Sequence, residues 1–500
     1  MSNLKGLAKD TAIYGLSSIV GRFLNYLLVP LYTHVISAAS GGYGVVTNIY
    51  AYTALILVLL TFGMETTFFR FANKEEENPD TVFSTTMGMV CTLSVLFLAA
   101  VFLFIDPIAE AMGYADHHSY IQMMAICVTL DAIQAIPFSL LRYRKRPIKF
   151  AALKLFFIIV NIGLNLLYFV VLGKTDVFYV FSLNLACTAL ITFFFIPELL
   201  SVRWTFDMSL LRRMFKYSWP ILVLGIAGVL NQTLDKMLFP WAYTHTGLHT
   251  VAEAKVQLGI YGACVKVAMI MAMITQAFRY AYEPIVFSKA KDKDSKEYYA
   301  VAMKFFIIFT LFAFLCVMGY IDILKHIIRN DYYGGLDTIP IVMAAEIMMG
   351  IYFNLSFWYK LVDKTIWGAW FSFAGCAVLV AVNVLFVPQY GYMACAWGGF
   401  AGYATAMVLS YIVGQRLNPI QYDLRGIFRY TFLTLILFLV MQYLPQSWPV
   451  WLRLILNTIL IFLFLLEVVH RDLPLHSLPV IGKKFKKKEH EMPQAAEKEK

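Results

Sequence analysis

The chain is a succession of apolar runs, each long enough to cross a bilayer and each followed by a short charged segment. A helix needs about 17–25 apolar residues to span a hydrocarbon core of ~30 Å. Runs of that kind fall near 11–33, 45–67, 82–105, 119–141, 150–172, 177–197, 217–241, 257–282, 300–321, 337–358, 365–387, 392–413, 427–444 and 450–468, the last two being short. About fourteen such runs predict an all-α membrane protein, because lipid offers no partner for open backbone groups and helices satisfy their own. Composition agrees: 60% of the 500 residues are hydrophobic and 14% charged, against about 25% charged in a soluble chain.

The loop charges predict the orientation. With the N-terminus inside, inner segments carry Lys5 and Lys9, Arg70 and Lys74, the Arg142–Lys149 cluster, Arg203 to Lys216, Arg279 to Lys296, Lys360 and Lys364, Arg416 to Arg429, and the tail. Outer segments carry only Lys174, Lys255, Lys325, Arg329 and Arg453. This positive-inside bias predicts cytoplasmic N- and C-termini. The net charge of +10 sits in these loops and the tail; with no basic, aromatic-interleaved domain, nucleic acid is not an expected partner. The tail beyond Arg471 is charged and poor in aromatics, so it reads as disordered, its KKFKKK run resting on anionic lipid. The seven scattered cysteines form neither a disulfide framework nor a zinc site. The first run, beginning near Thr11 and holding Arg22, reads as a retained span and not a cleaved signal.

A weak internal repeat organises the runs. NYLLVPLYTH from Asn25 precedes GYGVV from Gly42, and DKMLFPWAYTH from Asp235 precedes GIYGACV from Gly259. The expected domains are a six-helix bundle over 1–200, a second over 201–415, a helix pair over 416–470 and the basic tail over 471–500, a plan common in transporters.

KDTAIYGLSSIVGRFLNYLLVPLYTHVIS, then YGVVTNIYAYTALILVLLTFGMETTFFRF, and in the second half YGACVKVAMIMAMITQAFRYAYEP, resemble polysaccharide-biosynthesis flippases. These are the Wzx-type O-antigen and oligosaccharide members of the MATE/MOP exporter superfamily. The resemblance implies alternating-access movement of an undecaprenyl-diphosphate-linked oligosaccharide across the cytoplasmic membrane, for cell-surface polysaccharide or lipopolysaccharide synthesis. It implies membrane lipids and polysaccharide polymerase machinery as partners.

Ionisable groups inside a span cost about 2.5–3.5 kcal/mol on insertion scales, so they normally mark a cavity. The clearest embedded cations are Arg22, Lys236 and Lys266. Arg22 lies mid-span on a polar stripe with Thr11, Tyr14, Ser18 and Asn25, and its guanidinium fork suits a diphosphate. Substrate-binding candidates are therefore Arg22, Asn25, Lys236 and Lys266, which together predict a cavity for an anionic headgroup. Asn231 and Asp235 share one face of their helix, Gln232 and Lys236 another; pairing of Lys266 with Asp235 is the structural alternative. Glu65, Asp131, Asp235 and Glu346 are coupling-ion candidates, for H+ or Na+, with a hydrogen-bonded structural carboxylate as the bland alternative. Asn161 and Asn165 predict interhelical hydrogen bonds. No cofactor, metal site or catalytic motif is expected: GxxxxGK[ST], GxSxG, HExxH and the kinase set are all missing, so the chain reads as a non-enzyme driven by a gradient. The alternatives are a cation-coupled multidrug exporter, a lipid II flippase and a membrane glycan polymerase or transferase.

Overall fold

The computed structural model describes residues 26–289, 295–361, 364, 366–445 and 447–472. All the long elements are helices: α1 Leu28–Val35, α2 Gly42–Thr61, α3 Met64–Ala72, α4 Pro79–Leu103, α5 His118–Tyr143, α6 Pro147–Leu166, α7 Val177–Phe193, α8 Met208–Thr244, α9 Val251–Lys289, α10 Ser295–Gly319, α11 Thr338–Leu355, α12 Ile366–Tyr390, α13 Tyr392–Leu417, α14 Leu424–Gln442 and α15 Val450–Arg471. Among the described residues, 13 helices are long and apolar enough to cross a membrane. The two short runs near the C-terminus are full helices of 19 and 22 residues. Most of the first expected run lies outside the described residues.

Local chemistry sets the helix starts. Asn78 caps α4 through the Asp80 N–H, with Pro79 at the first turn. Asp176, Asp207 and Asp423 cap α7, α8 and α14 in the same way. The run 45–67 is broken: Phe62 and Gly63 both take left-handed φ, +50° and +68°, ending α2 and restarting the chain as α3. Gly63 suits this break twice, since a Cβ there would meet Ile221 of α8 at 3.0 Å. By contrast, α8 and α9 run past their apolar stretches to 37 and 39 residues, about 55 Å or more at 1.5 Å per residue.

The helices group into two compact units, one holding α1–α9 and α11–α13 and the other α10, α14 and α15. In the first unit, α12 and α13 pack along their length, α11 lies on α13, and α2 packs on both α8 and α9. The small unit is tied by polar groups at both ends of its helices. Lys304 reaches Asp423 at 2.8 Å and also bonds Asp472, while Arg453 pairs with Asp322 at 3.0 Å and Asn457 donates to the Gly319 carbonyl at 2.8 Å.

Candidate functional site

The Asp207 cap starts α8, which carries its polar residues deep into the first unit. Asn231 donates to the Ser372 carbonyl of α12 at 3.0 Å. Asp235, 4% exposed, accepts from the Tyr261 hydroxyl of α9 at 2.8 Å. The Asn231–Asp235 face therefore bonds neighbouring helices. Lys236 is half-buried, and its ammonium folds back onto its own turn. It donates to both Asp235 oxygens at 3.0 and 2.9 Å and to the Gln232 carbonyl at 3.0 Å. Asp235 is thus neutralised by its chain neighbour, the arrangement that makes a buried carboxylate tolerable.

Lys266 on α9 and Glu346 on α11 differ from that pair. Both are half-buried, and neither has a hydrogen-bond or ion-pair partner among the described residues. Lys236 lies within electrostatic reach of both. Because Asp235 is already occupied by Lys236 and Tyr261, Lys266 does not pair with it. An ionisable group this far along a spanning helix, partly accessible and unpaired, either keeps its charge with water or a ligand beside it or gives the charge up.

The first half of the chain holds a second cluster. Asp131 on α5 has the Cys127 thiol at 4.0 Å on its own helix. One turn on, Gln134 donates to the Thr188 carbonyl and the Thr192 hydroxyl of α7, both at 2.8 Å. Glu65 on α3 is half-buried and has no hydrogen-bond partner among the described residues. Between them stands Lys154 of α6, a residue the sequence reading passed over. Its ammonium lies 4.0 Å from the Phe138 ring centroid and within electrostatic reach of Asp131 and Glu65. A signal for Lys154 existed: Pro147 opens the helix, so a residue seven positions on is about 10 Å inside it.

Arg22 and Asn25 lie outside the described residues. Asn165 makes an expected interhelical bond, accepting from the Tyr32 hydroxyl of α1 at 2.8 Å, while Asn161 bonds within α6, accepting from Asn165 at 3.0 Å. Carboxylates accompany the cations in both halves, with Lys154, Lys236 and Lys266 set beside Glu65, Asp131, Asp235 and Glu346.

The two halves of the first unit meet closely at the end carrying residues 37–41. The Ala38 N–H donates to Asp331 at 2.9 Å, the Tyr332 hydroxyl to the Ile36 carbonyl at 2.8 Å, and Lys255 to the Gly113 carbonyl at 2.9 Å. The two Tyr-Gly segments of the repeat face one another here. A Cβ on Gly259 would stand 3.0 Å from the Gly44 nitrogen, so α2 and α9 cross nearly backbone to backbone. At the opposite end, Glu198 is 2% exposed and receives Lys149 through both oxygens at 2.6 and 2.8 Å. Arg144 bonds Ser201 at 2.7 Å. The basic 142–149 loop is therefore pinned at Arg144 and Lys149.

A family model described as "Polysaccharide biosynthesis protein" matches residues 39–329. A search of curated proteins finds no match. Among solved structures, the lipid II flippase MurJ in an inward closed conformation aligns with a TM-score of 0.72 at 12% identity, covering 91% of this chain and 98% of that one. An inward-facing multidrug resistance MATE transporter of the MOP superfamily aligns at 0.62 and 13% identity, covering 81% and 94%. The MATE multidrug transporter DinF-BH in complex with R6G aligns at 0.58 and 16%, covering 84% and 96%. At these identities the likeness is one of fold.

Proposed function

The chain belongs to the polysaccharide biosynthesis protein family, and we propose that it is a flippase moving an undecaprenyl-diphosphate-linked oligosaccharide across the cytoplasmic membrane by alternating access. The observation that carries the reading is the pair of charge clusters, one in each half, whose ammonium groups at Lys154 and Lys266 have no ion-pair partner among the described residues. An anionic headgroup supplies what such groups lack. Arg22 and Asn25 join Lys236 and Lys266 as proposed substrate contacts. Asp131, Glu65 and Glu346 are the proposed carriers of H+ or Na+ coupling; Asp235, held by Lys236, reaches that role only when Lys236 leaves it.

In this proposal both termini are cytoplasmic, the 37–41 end is the outer end, and the halves 1–200 and 201–415 are the bodies that move, except that α10 groups with α14 and α15 of the appended pair 416–470. Polysaccharide polymerase machinery is the proposed downstream partner. One feature favours a cation-coupled multidrug exporter instead: the embedded carboxylates equal or outnumber the cations among the described residues. A drug-susceptibility panel in a transporter-deficient host separates the two.

The direct test places the full chain in vesicles with undecaprenyl-diphosphate-linked oligosaccharide and follows its appearance in the opposite leaflet. Wild-type protein accelerates movement and Arg22→Ala stops it. A wild type that moves no substrate sinks the reading; normal movement by Arg22→Ala sinks only that residue's role.

A further inference from the structure

Pro240 lies inside α8 and has no N–H, so the carbonyl of Lys236, four residues earlier, loses its partner in the helix ladder. In a membrane-embedded bundle such a carbonyl needs a donor from elsewhere. The donor comes from the other half of the chain: Asn48 of α2 donates its amide to the Lys236 carbonyl at 2.8 Å. Beside it, the Tyr52 hydroxyl reaches the Met237 carbonyl at 3.3 Å. Asn48 is itself held, its amide oxygen accepting from the Tyr114 hydroxyl at 2.9 Å. Asn48 is 1% exposed and Tyr114 2%. Lys255, from the second half, then closes the circuit by bonding the Gly113 carbonyl and lying 4.8 Å from the Tyr114 ring centroid.

We propose that Asn48, positioned by Tyr114, is the latch that holds the 37–41 end shut, and that it is coupled to the charged cluster through Lys236. The inference rests on reading the chain as an alternating-access transporter. The coupling follows from one residue serving two contacts. The backbone carbonyl of Lys236 is what Asn48 grips, and its ammonium is what Asp235 and the Gln232 carbonyl hold. The missing rung at Pro240 makes this one of the two proline-weakened turns of α8, the other being at Pro220. Whatever draws the ammonium off Asp235 therefore acts on the turn that carries the latch, and opening the latch acts back on the ammonium, as linkage requires. The halves cannot part at the 37–41 end while the Asn48 bond stands.

A purely structural role would also explain a bond to an orphaned carbonyl, so the test separates the two. Nitroxide labels at Glu110→Cys and Thr246→Cys, in full-length protein with native cysteines replaced and reconstituted in lipid nanodiscs, report the separation of the halves by pulsed electron resonance. Asn48→Leu and Tyr114→Phe each raise the long-distance population up to about ten-fold, the value of one hydrogen bond of net strength near the top of its usual range. Lys236→Met, which keeps the carbonyl and removes the ammonium, shifts the same distribution. The decisive variant is Asn48→Leu with Pro240→Ala, which gives the carbonyl its own helical N–H again. It restores the thermal midpoint while the long-distance population stays high. Unchanged distances in the single Asn48 and Tyr114 variants, or a return of the double variant to wild-type distances, overturn the latch. An unchanged distribution in Lys236→Met overturns the coupling. None of these readouts uses a substrate, so they stand apart from the vesicle assay that tests the proposed function.

Discussion

Lys266→Met is expected to make the protein more stable and less active at once. A lysine at the centre of a span carries an insertion cost of about 2.5–3.5 kcal/mol. Lys266 is half-buried, so water beside it recovers part of that cost, and no hydrogen bond or ion pair to a described residue recovers the rest. Removing the charge should therefore stabilise the fold by roughly 1–2 kcal/mol. Methionine keeps an unbranched stem of similar length and adapts to irregular surroundings, so no cavity offsets the gain. Thermal unfolding in nanodiscs should show a midpoint raised by at most a few degrees, given about 2–4 °C per kcal/mol for domains smaller than this one. Movement of undecaprenyl-diphosphate-linked oligosaccharide in vesicles should fall about ten-fold or more, since the ammonium is a proposed substrate contact. A fall in the midpoint refutes the reasoning, because it would mean that Lys266 is held by a structural partner and is not waiting for one.

Glu198→Ala should cost about 2–3 kcal/mol, below the 3–5 expected of a fully buried pair, because Lys149 is 33% exposed and regains water; the midpoint and protease cleavage within 142–149 report it, and an unchanged pattern means the loop is held elsewhere. Acid should weaken the small unit. Lys304 and the Gly426 N–H hold Asp423 below the usual carboxylate range. Burial alone would raise Asp472, but hydrogen bonds from Lys304 and Tyr430 outweigh it and hold it low as well. Lowered folded-state values mean stability that is complete above the unfolded value near 3.9 and lost as pH falls through the folded ones; Lys304→Met should flatten the midpoint's decline below pH ~4, and an equally steep decline counts against the clamp. Asp235→Asn removes the carboxylate that competes for Lys236, so undecaprenyl diphosphate should bind up to about ten-fold more tightly; unchanged affinity argues against Lys236 as a phosphate contact.

Much of the fold was legible because the bilayer imposes one rule on every segment. Apolar length alone placed the helices, and the short final runs proved full length. The break at Phe62–Gly63 was not legible, because it depends on Ile221 and Phe215 of another helix, the latter ring stacking on Phe62 at 4.8 Å. The company α10 keeps was equally hidden: Lys304 bonds partners more than a hundred residues away. At the site, the ionisable residues were visible as violations of apolar runs, but their pairing was not. Asp235 looked available to Lys266, and only side-chain geometry shows Lys236 turning back onto its neighbour. Lys154 lies inside the run 150–172 but only five residues past the basic 142–149 loop, and the sequence alone does not separate the two. The repeat, by contrast, had physical content: Pro240 removes one rung inside the continuous α8, and the Tyr-Gly segments are the surfaces on which α2 and α9 cross.

The difference between Lys236 and Lys266 gives the proposed passage an order of engagement. An anion approaching Lys266 breaks no existing ion pair with a described residue. The same anion reaching Lys236 must displace Asp235, whose remaining partner, the Tyr261 hydroxyl, cannot neutralise it. Binding at Lys266 is therefore the easier step, and transfer to Lys236 is the step that leaves a carboxylate uncovered in a low-dielectric surrounding. That uncovered carboxylate is relieved by a proton or a cation, which would tie the arrival of the headgroup to uptake of the coupling ion on the same turn of α8. The turn is also the one that lacks a rung at Pro240 and is gripped by Asn48. Ligand, ion and closure of the 37–41 end thus converge on two adjacent residues, and a chain with one such turn needs no separate wire between its binding site and its gate.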